Sequence, residues 1–209
     1  SRLLGKKSTQ PIKGLYFWGG VGRGKTYLVD TFFDALPFEQ KMRTHFHRFM
    51  KRVHEELRTL DGEKNPLVIV AERFAKEARV ICFDEFFVTD ITDAMILAGL
   101  LEELFKNGVS LVATSNIVPD GLYKDGLQRA RFLPAIALLK EHTEIVNVDS
   151  GIDYRLRALE QAELNLVRSQ TIESVEALGE ARERFAGQSE DQVGMHVRLR
   201  ALDEPAQVG

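Results

Sequence analysis

Between residues 14 and 148 short, nearly continuous apolar runs alternate with longer stretches in which apolar positions recur at helical spacing. The runs at 15–18, 43–49, 80–83, 109–114 and 144–148 are short and apolar enough to be strands buried on both faces. Between and around them, residues 26–36, 51–60, 67–77, 91–106 and 128–141 are rich in helix formers, and Asn107-Gly108 supplies a C-cap for the fourth. Parallel strands need crossovers of about this length. The pattern therefore predicts an α/β fold, a mostly parallel five-stranded sheet flanked by helices. It breaks after Asp149, where polar and charged segments carry a helical stretch at 172–185, a short alternating run at 195–199 and a tail with Asp203-Glu204-Pro205.

The first run leads directly into Gly19-Gly20-Val21-Gly22-Arg23-Gly24-Lys25-Thr26, a full G-x-x-x-x-G-K-[ST] pattern, with Tyr27 next along the helix. A glycine-rich loop between a buried strand and a helix lets consecutive main-chain N–H groups close around phosphate oxygens, and the helix N-terminus adds partial positive charge. Lys25 would meet the terminal phosphates as a point charge, and the Thr26 hydroxyl would coordinate Mg²⁺. A ligand-free Gly-rich turn is the plainer alternative, but a chance match in a chain this long is on the order of one in a hundred.

The run at 80–83 ends in Asp84-Glu85. Asp84 would hold Mg²⁺, while Glu85, pointing elsewhere, would orient and deprotonate a water attacking a γ-phosphate. Alone, two acids could be a solvated strand end. The next run ends at Asn116, whose amide could bond that water or the γ-phosphate, although a turn-forming Asn is its commoner role. Arg129 and Arg131 precede the last strand. Either could reach a neighbouring copy's site as an arginine finger, or lie on a solvated helix face. His45 and His47 would share one face of a strand at a spacing that can chelate metal, but nearby acids and thiols are lacking, which favours packing over zinc. The basic group Arg43, Arg48, Lys51 and Arg52 is followed by Glu55 and Glu56, which favours a mixed-charge helix face over a polyanion site.

Composition changes this picture only by exclusion. Lys plus Arg 28 against Asp plus Glu 31 gives a net charge of −3, which offers no attraction to nucleic acid or an anionic membrane. The 209 residues, 44% hydrophobic and 28% charged, are ordinary globular values. The apolar stretches are too short for a spanning helix. Cys82 is the single cysteine, cannot form an internal disulfide, and fits a reducing compartment.

The order of motifs resembles the family of the bacterial cell-division ATPase ZapE and its mitochondrial relatives. The resemblance is carried by the cradle at 15–26, by His45-Phe46-His47-Arg48-Phe49-Met50 and by Cys82-Phe83-Asp84-Glu85-Phe86. It continues through Val88-Thr89-Asp90-Ile91-Thr92-Asp93, Ala113-Thr114-Ser115-Asn116, Gln128-Arg129-Ala130-Arg131-Phe132-Leu133-Pro134 and Val148-Asp149-Ser150-Gly151-Ile152-Asp153-Tyr154-Arg155. It covers about residues 14–157 and implies an AAA+ P-loop NTPase core of sheet order 5-1-4-3-2. Residues 1–157 would be the nucleotide-binding domain and 158–209 a partial C-terminal appendage. The resemblance further implies Mg²⁺-dependent ATP hydrolysis, with Lys25 as Walker A lysine, Asp84 and Glu85 as Walker B acids, Asn116 as sensor and Arg129 as the better finger candidate. It also implies nucleotide-dependent homo-oligomers, a protein partner linked to FtsZ, and a cytoplasmic setting with peripheral contact at the inner membrane of the division site. A DNA-associated helicase loader and a P-loop small-molecule kinase share parts of this pattern. A guanine-reading N-K-x-D motif is missing at Asn116.

Overall fold

In this computed structural model, residues 11–201 other than Arg23 are described. In chain order the elements are β1 (Gly14–Trp18), α1 (Lys25–Ala35), β2 (Lys41–His45), α2 (Phe46–Arg58), α3 (Pro66–Glu77), β3 (Val80–Asp84), α4 (Ile91–Lys106), β4 (Ser110–Ser115), α5 (Leu133–His142), β5 (Thr143–Asn147) and α6 (Ile152–Ala201), with 3-10 turns at Pro119–Gly121 and Arg129–Arg131. The strands form one sheet in the order β2-β3-β4-β1-β5, every neighbouring pair parallel. This is the expected 5-1-4-3-2 order. Because all strands run the same way, their C-terminal ends share one edge, and the residues that leave them collect there: Gly19 after β1, Glu85 after β3 and Asn116 after β4.

Side-chain alternation along the strands builds a core on each face of the sheet. In β3, Ile81 and Phe83 pack with Phe46, Phe49, Phe74 and Leu97 on one side, while Val80 and Cys82 pack with Val29 and Phe32 of α1 on the other. Ala158, Leu159, Ala162 and Leu166 of α6 join the second cluster. Full burial of a Phe or Leu side chain contributes about 1.5–3 kcal/mol, so these two clusters are the main source of the sheet's stability. A compact unit ends at Val167 and a second unit begins at Arg168. Within that second unit Ile172, Val175 and Leu178 are exposed. None of the helices among the described residues is long and apolar enough to cross a membrane.

Two expectations need correction. The run at 43–49 is divided: β2 stops at His45, and α2 takes over at Phe46. Phe46, Phe49, Met50 and Val53 are all buried, an i, i+3, i+4, i+7 set that one helix face accommodates and a strand does not. The helix expected at 128–141 starts later. Gln128 has φ 55° and a 3-10 turn follows, and Pro134 then opens α5, where its missing N–H is harmless. The alternating run at 195–199 is helical, within α6. The tail at 203–205 lies outside the described residues. The fourth helix has the expected ends, with Asn107 at its C-cap and Gly108 at φ 80° beyond it.

Candidate functional site

The loop from β1 to α1 sits at the C-terminal edge of the central strand. Gly19 donates its N–H to the Ser115 carbonyl at 3.2 Å, and a Cβ there would come within 2.3 Å of Val148 Cγ2, so only glycine lets the chain pass. Gly22 and Gly24 both have φ 78°, the left-handed region that favours glycine. Gly24 is the N-cap of α1, no side chain caps that end, and the first turn carries no acid. The first N–H groups of α1 therefore keep their capacity to bind an anion.

Lys25 folds back across this loop. Its Nζ donates to the Gly19 and Gly20 carbonyls at 2.8 Å each and to Asn116 Oδ1 at 3.1 Å. Its pKa is lowered, because burial disfavours the charged form, with Asp149 acting in the opposite sense. Lys25 and Asn116 thus meet although 91 residues separate them. Beside them lies a cleft of about 470 Å³ lined by Val21, Gly22, Lys25, Thr26, Glu85, Phe87, Thr114 and Asn116, among others. That is a common size for a small-molecule site. Tyr27, 72% exposed, is not part of the cleft wall, and Arg23 lies outside the described residues.

The two acids have different environments. Asp84 accepts a fork from Arg43, Nε to Oδ2 at 2.9 Å and Nη2 to Oδ1 at 3.1 Å. Arg43 Nη1 also pairs with Asp30 of α1. Glu85 instead turns outward, its side chain 79% exposed and its backbone at φ 55°, an uncommon conformation for a residue other than glycine. β4 holds it there. Glu85 donates its N–H to Thr114 Oγ1 at 3.2 Å, Phe86 donates to the Thr114 carbonyl at 2.7 Å, and Ser115 Oγ donates to the Phe86 carbonyl at 2.8 Å. Sequence reasoning missed Thr114 and Ser115 as supports. Their position at the end of a buried strand beside the acids was the available signal.

Arg129 and Arg131 lie in the 3-10 turn before α5 and outside the wall of the cleft. Arg129 Nη2 donates to the carbonyls of Asp120 at 2.7 Å and Leu122 at 3.3 Å, whereas Arg131 is exposed and bonds Gln128. His45 and His47 do not share a strand face. His45 ends β2 and His47 lies in the first turn of α2, with ring centroids 5.8 Å apart. His45 Nδ1 lies 3.8 Å from Glu85 Oε2. Of the basic group, Arg52 pairs with Glu77 and covers the Phe74 ring, as befits a mixed-charge helix face.

The model of the AFG1-like ATPase family matches residues 1–209. The chain is 61% identical over 166 residues to Cell division protein ZapE of Escherichia coli K12, a match covering 78% of this chain and 44% of that protein. It is 47% identical over 163 residues to Lactation elevated protein 1 homolog B of Danio rerio, covering 73% of this chain and 32% of that one. The chain thus spans less than half the length of these relatives. Among solved structures, domain III of the Thermotoga maritima replication initiation protein DnaA superposes with a TM-score of 0.48 at 17% identity, over 74% of this chain and 62% of that chain.

Proposed function

Because the chain belongs to the AFG1-like ATPase family, we propose that it binds ATP in the cleft at the C-terminal edge of its sheet and hydrolyses it to ADP and phosphate. The observation that carries this reading is the convergence of Lys25, Thr26, Glu85 and Asn116, from three separate parts of the chain, on one cleft. The triphosphate would lie along the 19–26 loop, its oxygens bonded by main-chain N–H groups and by the open N-terminus of α1. Lys25 would exchange the neutral carbonyls of Gly19 and Gly20 for phosphate oxygens. A charged acceptor strengthens those bonds.

Glu85 would take the proton from the attacking water. Its outward turn leaves the carboxylate solvated and open to that water. Asn116, already within reach of Lys25, would orient the water or the γ-phosphate. Mg²⁺, when bound, would offset phosphate charge, and Thr26 and Asp84 are the hard oxygen donors to hold it. Mg²⁺ takes most of its ligands from phosphate and water, so two protein oxygens can suffice. An arginine of the 129–131 turn would complete the site of a neighbouring copy. By its similarity to a cell division protein, the cycle would serve a protein partner in the division apparatus, FtsZ being the first to test, with nucleic acid disfavoured by the net charge of −3. The setting would be cytoplasmic, at the membrane's periphery. Residues 1–157 would form the nucleotide-binding domain and 158–209 an appendage, whose first turns, to Leu166, pack on the sheet.

Phosphate release from ATP and GTP by the wild type, Lys25→Ala and Glu85→Gln tests the reading. ATP is the expected substrate. Lys25→Ala should lose nucleotide affinity, and Glu85→Gln should keep it while turnover falls by about 10²- to 10⁴-fold. Equal turnover in Glu85→Gln would remove Glu85 as base, and a phosphorylated acceptor in place of free phosphate would make the protein a kinase.

A further inference from the structure

Arg43 is the only member of the 43–52 basic group with a bond to one of the two acids among the contacts described above. In the β2/β3 register it stands opposite Cys82, and cross-strand partners project to the same face. Asp84, two residues beyond Cys82, projects to that face as well. Packed against it is α1, which contributes Val29 and Phe32 to the same cluster as Cys82. Arg43 therefore has Asp84 on one side and Asp30 of α1 on the other. It uses Nε and Nη2 on the two oxygens of Asp84 and Nη1 on Asp30. The side chains of Arg43 and Asp84 are only 20% and 18% exposed, so this fork is largely shielded from water and stronger than a surface pair.

We propose that Arg43 is the positioning residue for Asp84: its fork fixes the orientation of the carboxylate that serves the metal, and its third bond ties that carboxylate to the helix carrying the phosphate cradle. This rests on the reading of Asp84 as a metal-holding acid. Each Asp84 oxygen gives one lone pair to Arg43 and keeps another for the ion or its water. A carboxylate held by such a fork has lost its rotational freedom before the metal arrives. Groups that orient metal-holding side chains are worth about 10- to 100-fold in metal affinity.

The charge of Arg43 works in the other direction. Removing a cation from beside the site would, by electrostatics alone, strengthen binding of Mg²⁺. The sign of the effect therefore separates positioning from charge. ADP binding is titrated calorimetrically in Mg²⁺ and in EDTA for the wild type, Arg43→Gln, Arg43→Lys and Asp84→Asn, with thermal unfolding recorded for each. The ratio of the dissociation constant in EDTA to that in Mg²⁺ reports the metal's share without turnover. It should fall about tenfold in Arg43→Gln, toward the Asp84→Asn value, with affinity in EDTA unchanged. Arg43→Lys should fall likewise, because an ammonium keeps the charge but cannot form the fork.

A ratio that rises in Arg43→Gln, or is restored by lysine, would show that Arg43 acts through charge and overturn the proposal. A ratio unchanged in both Arg43→Gln and Arg43→Lys, whatever happens to their unfolding temperatures, would reduce Arg43 to a brace between strands and helix and overturn it too. If Asp84→Asn itself leaves the ratio unchanged, or the wild type binds ADP equally with and without Mg²⁺, the reading of Asp84 fails, and the inference with it.

Discussion

At the scale of single residues, the site depends on groups that hold its acids in place. Thr114 is one: its Oγ1 accepts the Glu85 N–H at 3.2 Å, while the Thr114 carbonyl accepts from Phe86, so one residue fixes both sides of the left-handed turn that aims Glu85. Thr114→Val keeps the shape of this 5% exposed side chain and removes the acceptor. Leaving a partly buried donor unpaired costs about 1 kcal/mol or more, and the turn loses a restraint. We expect lower stability in urea together with reduced kcat, while Thr114→Ser, which retains the hydroxyl, stays near wild type in both. Valine matching serine would free Thr114 of this role. The glycine-rich loop was legible in the sequence because its backbone dictates its residue types: Gly22 and Gly24 are glycine for their φ of 78°. Thr114 and Arg43 were not legible as partners. Their bonds span 29 and 41 residues and exist only once strand register is set.

At the scale of elements, apolar spacing was reliable where a helix is long and its ends are capped, and unreliable where apolar residues are shared across a boundary. Helix α4 was readable to both ends. The β2–α2 junction was not, because Phe46 and Phe49 suit a buried strand as well as a helix until Met50 and Val53 complete the periodic face. The clear start of α4 comes from Asp90, whose side chain accepts from the Thr92 N–H at 2.6 Å and the Asp93 N–H at 3.4 Å. The Thr92 main-chain bond, followed by the Thr92 side chain, holds the Asp90 pKa below its ordinary value. Folding thus favours the charged form. The cap's contribution is present above the unfolded pKa and is lost as pH falls through the lower folded value. Asp90→Ala should cost about 1 kcal/mol near neutrality, and the gap to wild type should narrow as pH is taken down through and below the carboxylate range. Urea titrations at several pH values measure this, and a gap independent of pH would assign the effect to something other than the charged cap.

For the molecule as a whole, the topology makes the site. A parallel sheet with β1 between β4 and β5 places the cradle next to the ends of the strands that carry Asn116 and Asp149, so residues far apart in the chain have one edge to share. Neither Arg129 nor Arg131 lines the cleft of its own chain, so a finger from that turn would have to come from a second copy. If a second copy supplies it, specific activity must rise with protein concentration. The geometry distinguishes the two candidates. Arg129 bonds the carbonyls of Asp120 and Leu122 within its own subunit, so Arg129→Ala should lower the unfolding temperature as well as turnover. Arg131 is exposed, and Arg131→Ala should leave unfolding unchanged. A finger is worth about 10³- to 10⁵-fold in rate. Such a loss in Arg131→Ala, with stability and ADP binding intact, would make it the reaching residue. The same loss confined to Arg129→Ala would return that role to Arg129, whose own bonds would then have to break on assembly. Activity that is flat across protein concentration, with both variants near wild type, would mean that the cleft works alone.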